Sequence, residues 1–472
     1  MLSGIRSIHF SGICGTAMAS VAVALKERGL QVTGSDEHAY PPMSTFLQER
    51  GVEVMSGYAE ANLDHRPDLV VIGNALSRGN AEVEFVLDRK LRYASLAEVL
   101  REFFLRGKRC LVVTGTHGKT TTASLLAWVL EHNGLNPGYL IGGVPLNFNQ
   151  GCRLTDSEWF VLEGDEYDTA FFDKRSKFVH YLPEMAIVNN LEFDHADIFD
   201  DLRAVQRTFG HFIRLVPRAG ALFVNGDEAN LAEPLKSAFC PLVRFGLGEG
   251  NDLRAIPVSE AADANVFRVG ETEFRLGLAG EFNLRNALGV IGIARRCGLS
   301  DARIQSAFDT FQGIRRRLEV RGEAGGITVV DDFAHHPTAI RETIRALRVR
   351  YAGRRLWVLF EPRSNTTRRR VFQESLAETL SGADCVVVAQ VARLGLLKED
   401  ERLDPEKLMR DIKACGRHAA YLPDAPSIVE HVVAEARTGD VVCVFSNGGF
   451  GGIHGLLLEA LGAGREAQSA EG

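Results

Sequence analysis

The chain has 472 residues, a formal net charge of −7, 45% hydrophobic residues and 24% charged residues. That balance suits a globular enzyme of about three domains and excludes a general nucleic-acid binder, which would carry a basic face. No apolar run is long enough to span a bilayer, and the eight cysteines are scattered with no CxxC pair, which argues for reduced thiols rather than a disulfide framework or a zinc site. The short apolar run Ile8 to Ile13 passes into a glycine turn rather than a cleavage site, so a cytoplasmic location is expected.

In chain order, Ser7 to Met18 reads as a strand and a glycine turn, and Ala17 to Arg28 as a helix stopped by Gly29. Gln31 to Asp36 is a second strand that ends in an acid about twenty residues past the turn, a βαβ nucleotide-binding outline. The fingerprint is imperfect, because Gly12, Gly15 and Ala17 replace the usual glycine spacing, and Cys14 and Thr16 fill the turn. A nucleotide or diphosphate ligand is expected, whether dinucleotide or sugar nucleotide. Asp68 to Ala75 is a buried-type strand running into the polar loop Asn74 to Asn80. Ligands of open α/β sheets lie at the carboxyl ends of strands, so Asn74, Ser77, Arg78 and Asn80 are candidate contacts, with a solvated turn as the alternative.

Cys110 to Val113 is an apolar strand entering Gly115-Thr116-His117-Gly118-Lys119-Thr120-Thr121, and a small-residue helix leaves it. This is a phosphate loop: backbone N–H groups cradle phosphate oxygens, Lys119 reaches the terminal phosphates and the Thr120 hydroxyl sits on Mg²⁺. It is shorter than the usual pattern, since Val113 stands where a glycine is standard. Trp159 to Asp168 is a strand delivering acids, of which Glu163 is best placed to hold a metal or its water. Ala186 to Asp197 repeats the design with Asn190, Glu192, Asp194 and His195; hard cations prefer oxygen, so chemistry alone leaves His195 structural. Asn283 and Asn286 share a helix face and suit a nucleotide, with an N-cap role open for Asn283. Gly313 to Leu318 is a basic linker whose arginines suit a transferring phosphate or, equally, a solvated turn.

In the C-terminal third, Ile327 to Asp332 is a strand ending in paired acids, with Pro337 opening the next helix. Leu356 to Asn365, a strand with a polar exit, Ala383 to Val388 and Asp440 to Gly449 complete a parallel α/β pattern without a phosphate loop, and the glycine-rich exit Ser446 to Gly452 allows close backbone approach to a ligand. The expected fold is α/β in three domains: a Rossmann-like domain over residues 1–107, a central P-loop ATPase domain over 108–322 and a C-terminal Rossmann-like domain over 323–472.

Taken together, Thr114-Gly-Thr-His-Gly-Lys-Thr-Thr, Glu163-Gly-Asp-Glu, Asn190-Leu-Glu-Phe-Asp-His, Asn283-Leu-Arg-Asn-Ala and Asp331-Asp-Phe-Ala-His-His-Pro, in this order, resemble the Mur ligases, ATP-dependent amide-forming enzymes of peptidoglycan metabolism. The L-alanine-adding branch is similar in its N-terminal domain but typically has Pro-His-Arg-Tyr-Thr-Arg where this chain has Glu361-Pro-Arg-Ser-Asn-Thr366, and glycine where it has Cys14. Tyr40-Pro-Pro-Met-Ser44, Phe171 to His180 and Ser446 to His454 resemble instead the recycling branch, which joins UDP-N-acetylmuramate to the tripeptide L-alanyl-γ-D-glutamyl-meso-diaminopimelate.

The resemblance implies that the muramate carboxylate attacks the γ-phosphate of ATP and that the peptide amine displaces phosphate from the acyl phosphate. It implies catalytic roles for Lys119, His195 and Arg317. It also implies Mg²⁺ on Thr120, Glu163 and His195, with ATP on the phosphate loop, Asn283, Asn286, Arg317 and Asp332. Substrate contacts then fall on Gly12, Cys14, Gly15, Thr16, Asp36, the 74–80 loop, His335, Arg363, Ser364 and Asn365. No lysine occurs from Ala196 to Pro217, where several relatives carry a carbamylated one.

Overall fold

The computed structural model describes residues 4–39, 43–260, 263–391, 395 and 397–470; Tyr40, Pro41 and Pro42, part of one family mark, lie outside the described residues. The chain forms two compact units, one of Met1–Glu192, Asp201–Ala255 and Arg285–Gln312, the other of Phe193–Asp200, Ile256–Leu284 and Gly313–Gly472.

The first unit opens with a parallel sheet of β1 (Ser7–Ser11), β2 (Gln31–Asp36), β3 (Glu53–Ser56), β4 (Leu69–Ile72) and β5 (Tyr93–Ser95), in the order β3-β2-β1-β4-β5. The strand order reverses at β1, which puts a ligand crevice at the carboxyl ends of β1 and β4. Helix Thr16–Glu27 buries Met18, Ala19, Val21, Ala22, Val23 and Leu25, and Gly29 turns the chain at φ 90°.

The same unit continues with β6 (Arg109–Thr114), β7 (Gly138–Leu140), β8 (Cys152–Arg153), β9 (Trp159–Glu163), β10 (Asp168–Ala170), β11 (Asp173–Ser176), β12 (Pro183–Val188), β13 (Ala221–Asn225) and β14 (Leu242–Gly246). Seven of these form one sheet in the order β14-β13-β12-β6-β9-β7-β8. Its central strands are buried along almost their whole length, which is why they read as unbroken apolar runs rather than alternating ones.

Strands β10 and β11 form a separate antiparallel hairpin. Phe171 and Phe172, at its turn, pack on the cluster of Leu63, Val70, Ile72, Val83 and Val86 from the first sheet and its helix. Phe172 also meets Tyr93 edge-on, with ring centroids 4.8 Å apart. The hairpin therefore clasps the first sheet from the middle of the chain.

Asp173 anchors the hairpin through Arg175 (2.8 Å) and His180 Nε2 (2.9 Å). Burial opposes ionisation of Asp173, but the Arg175 guanidinium and backbone N–H and the His180 ring outweigh it and hold the carboxyl down at about 2. Burial holds His180 low as well, so near neutral pH a neutral imidazole donates to the carboxylate. A depressed carboxyl adds stability above its unfolded value of about 3.9, and that stability is lost as pH falls through the folded value. Urea denaturation of Asp173→Asn is expected to show a flatter loss of stability between about pH 5 and about pH 2 than the parent chain.

β15 (Leu253–Glu260) begins beside β14 at Leu253 and Arg254. In the second unit β16 (Asn265–Val269) and β17 (Thr272–Leu276) make a hairpin, followed by β18 (Glu319–Ala324), β19 (Ile327–Asp332), β20 (Leu356–Phe360), β21 (Cys385–Ala389), β22 (His418–Leu422) and β23 (Val441–Phe445). The last six form a sheet ordered β18-β19-β23-β20-β21-β22, parallel except for the edge strand β18. Two apolar clusters cover its faces, one around Ile340, Phe360 and Leu376, the other around Trp357, Ile428 and Leu457.

Candidate active site

Strand β6 ends at Thr114, and the chain turns through Gly115 at φ 136° and Gly118 at φ 77° into helix Lys119–His132. Both glycines are required by close packing as well as by conformation. A Cβ on Gly118 would lie 2.5 Å from Asn286 Oδ1, and one on Gly115 would lie 3.1 Å from the Asn189 Cβ. The loop is braced by the exit of β12. The His117 N–H donates to Asn190 Oδ1 (2.7 Å), and the Glu192 N–H donates to Thr116 Oγ1 (2.9 Å). Asn189 Nδ2 donates to Thr122 Oγ1 (2.9 Å) and lies 3.4 Å from Asn286 Oδ1. Asn286 thus stands directly over the glycine turn, and Thr121 is buried on the first helical turn.

The Lys119 ammonium folds back onto its own loop, donating to Gly115 O (2.7 Å) and Thr116 O (3.3 Å). It also meets both Glu166 oxygens, at 3.0 and 2.8 Å. Burial works against this ammonium, but Glu166 and Asp165 outweigh it and hold Lys119 charged. The next residue, Thr120, donates its hydroxyl to Glu163 Oε1 (2.8 Å), while the Gly142 N–H donates to Glu163 Oε2 (2.6 Å). A hydroxyl and a carboxylate brought together at the mouth of a phosphate loop form an oxygen-rich pair of the kind a hard divalent cation takes.

A cavity of about 400 Å³ reaches Glu163 from the first sheet. Gly15, Thr16 and Asn74 line one part of it, Glu163, Asp165 and Lys177 another. The expected contacts of the first sheet divide here. Gly12 turns the chain at φ 85° beyond β1. Asp36 accepts from the Cys14 N–H (2.9 Å) and the His38 N–H (3.1 Å), so it braces the glycine turn. Burial and the nearby Asp36 push the Cys14 thiol up to about 11, which leaves it protonated. Asn80 caps helix Ala81–Asp88 by accepting from Glu82 N and Val83 N, with its own N–H on Ser77 O (3.2 Å). Arg78 forms an exposed fork with Glu84, both contacts at 2.9 Å.

In the second unit, His195 has φ 55°, a left-handed conformation that costs a side-chain-bearing residue energy unless its surroundings impose it. Asp194 imposes it, accepting from the His195 N–H (2.7 Å) and the Thr366 hydroxyl (2.8 Å). Burial opposes the Asp194 charge, but the rings of His195, His335 and His336 overcome it and hold the carboxyl far below its usual range. Asn365 donates to Asp197 Oδ2 (2.7 Å), and the Ser364 hydroxyl pairs with Thr367 Oγ1 (2.8 Å) inside the loop. Arg363 lies over Gly448, where an added Cβ would come 2.5 Å from its Nη1. The ends of β20 and β23 are further joined by the Ser446 hydroxyl on Glu361 Oε2 (2.5 Å).

The basic linker is anchored by Arg316, which meets Asp331 (3.2 Å) and Ser446 O (2.7 Å). Asp332 is buried and accepts from Leu318 N and Ala334 N, each at 2.8 Å; burial raises its carboxyl. Arg317 lies over the Phe333 ring at 5.1 Å, and His335 Nδ1 lies 3.1 Å from Phe333 O. Asn283 donates to Ala279 O (2.7 Å), a bond across the helix start.

Two carboxylates outside the expected set hold the first unit's site together. Glu166 is one. Glu82 is the other: fully buried, it accepts from Ser11 Oγ (2.5 Å), Ser35 Oγ (2.7 Å) and Asn62 Nδ2 (2.7 Å), tying the ends of β1 and β2.

Family models match three consecutive stretches: the Mur ligase family catalytic domain over residues 7–108, the Mur ligase middle domain over 113–294 and the Mur ligase glutamate ligase domain over 316–448. The UDP-N-acetylmuramate–L-alanyl-γ-D-glutamyl-meso-2,6-diaminoheptandioate ligase of Escherichia coli K12 is 45% identical, covering 98% of this chain and 99% of the relative. The UDP-N-acetylmuramate–L-alanine ligase of Variovorax paradoxus is 32% identical over 98% of this chain and 96% of that relative. Among solved structures, a murein peptide ligase from Psychrobacter arcticus matches with a TM-score of 0.72 and 38% identity over 97% of this chain and 99% of the other. With the phosphate loop, the Thr120–Glu163 pair and these likenesses in hand, the chain belongs to the Mur ligase family.

Proposed function

We propose that this protein is an ATP-dependent ligase joining UDP-N-acetylmuramate to L-alanyl-γ-D-glutamyl-meso-diaminopimelate in peptidoglycan recycling. The observation that carries the reading is the cavity that links the glycine turn at Gly15 and Thr16 with Glu163 beside the phosphate loop. An extended sugar nucleotide lying there has its diphosphate at a helix N-terminus and its carboxylate toward the transferring phosphate. The likeness to ligases named for these substrates supports the choice within the family.

In this reading residues 1–107 receive the sugar nucleotide, 108–322 bind ATP and 323–472 take the peptide. Lys119 leaves Glu166 and the loop carbonyls for the β- and γ-phosphates. Asn286 and Asn283 face the nucleotide, and Arg317 and Asp332 border it. Thr120, Glu163 and His195 would hold Mg²⁺, which when bound would supply positive charge against the phosphate oxygens. The muramate carboxylate oxygen attacks the γ-phosphorus and ADP leaves. The peptide amine nitrogen then attacks the acyl carbon; a proton and inorganic phosphate depart, leaving the amide. Arg363, Ser364, Asn365 and His335 border the peptide.

ADP release by the purified protein with ATP, Mg²⁺ and UDP-N-acetylmuramate tests this directly. Turnover with the tripeptide but not with L-alanine is expected. Turnover with L-alanine would assign the chain to the biosynthetic branch, and turnover with neither would overturn the ligase reading.

A further inference from the structure

We infer that Lys177 is the residue that receives the lactyl carboxylate of the sugar substrate and so selects a muramyl over a plain N-acetylglucosaminyl nucleotide. This rests on the sugar-nucleotide reading above and adds a residue to it.

The argument begins with charge. The part of the cavity nearest the phosphate loop is lined by two acids, Glu163 and Asp165. The proposed substrate brings a third carboxylate to the same place and must point it at a polyanion. Two like charges about 4 Å apart repel by several kcal/mol at the effective dielectric of a partly buried site. Besides any Mg²⁺ on Glu163, a carboxylate resting there calls for a cation fixed by the protein itself. Among the described residues that line the cavity, Lys177 is the only lysine or arginine.

Its position is fixed. The Lys177 ammonium donates to Asp165 Oδ2 (2.9 Å), and its backbone N–H donates to Tyr167 O (3.1 Å). The side chain keeps 24% of its surface, so it is open on the cavity side. An ammonium has three donors, and one of them serves Asp165. Asp165 therefore holds the Lys177 ammonium at the cavity wall while leaving donors for a second carboxylate. The neighbouring acid is handled separately, because Glu166 pairs with Lys119. The two adjacent acids each hold a different lysine: one serves the phosphates and the other the attacking carboxylate.

The test uses direct binding without ATP, by calorimetry, of UDP-N-acetylmuramate and of UDP-N-acetylglucosamine, which lacks the lactyl group. Lys177→Gln is expected to weaken UDP-N-acetylmuramate binding by about ten- to a hundredfold, the worth of a charge-assisted contact, and to leave UDP-N-acetylglucosamine binding unchanged. Lys177→Arg should restore most of the preference. In Lys177→Gln/Asp165→Asn the pair is removed as a unit, so a merely structural role predicts recovery, whereas a carboxylate-binding role predicts none. Equal loss for both nucleotides, no loss for either, or recovery in the double variant would overturn the assignment. If the parent protein binds neither nucleotide, it is the sugar-nucleotide reading that fails instead.

Discussion

Lys119→Ala is expected to lower kcat about a thousandfold, the scale for removing a preorganised charge from a transferring group. It is also expected to destabilise the protein, for a reason specific to this site. Glu166 is 2% exposed, and both of its oxygens meet the Lys119 ammonium. Removing one partner of a buried ion pair strands the other and costs about 3–5 kcal/mol. Loss of activity in this variant would therefore mix catalysis with stability. Lys119→Ala/Glu166→Gln separates them. Denaturant titration should show most of the stability restored, while ADP release stays as low as in the single variant. UDP-N-acetylmuramate binding should survive in the double variant. Recovery of turnover along with stability would show that Lys119 has no role at the phosphates.

Glu163→Gln is the second large effect. The amide oxygen can still accept from Thr120 or Gly142, the two groups that now meet the carboxylate at 2.8 and 2.6 Å, so the fold is expected to hold. What disappears is the negative charge at the loop mouth. kcat is expected to fall about a hundredfold. The Mg²⁺ concentration for half-maximal rate should rise at least about tenfold, as for loss of a group that holds or orients a metal. Measuring ADP release across a Mg²⁺ series decides the matter. A lower kcat with unchanged Mg²⁺ dependence would mean that Glu163 only positions Thr120.

The parts of the site visible in the sequence are those in which chemistry and local geometry coincide within a dozen residues. Gly115, Gly118, Lys119 and Thr120 sit between an apolar strand and a helix, and the structure has β6 and helix Lys119–His132 there. Strand ends were legible for the same reason, since β9 delivers Glu163 and β19 delivers Asp332. Partnerships between distant residues were not. Glu166 reads as one acid in a run of acids until it is seen 47 positions from Lys119 in sequence and 2.8 Å away in space. Glu82 reads as a first-turn helix acid, a common surface feature, yet it meets Ser11 71 positions earlier. The β10–β11 hairpin is hidden because its strands are short and polar and its two phenylalanines look like core. The β16–β17 hairpin did carry a signal, alternating Val266-Phe-Arg-Val with Phe274-Arg-Leu around Gly270, but no motif drew attention to it.

The clasp made by Phe171 and Phe172 bears on how such proteins can be recombined. A chimera that takes residues 1–107 from one relative and the remainder from another keeps the polypeptide boundary but breaks a packing unit. The cluster of Leu63, Val70, Ile72, Val83 and Val86 would meet a foreign hairpin tip. The inheritable block is discontinuous: the first hundred residues together with the short insert from Asp168 to Ser176. Coordinated drift is expected between those two stretches, with each change of bulk at the tip matched by one beneath it.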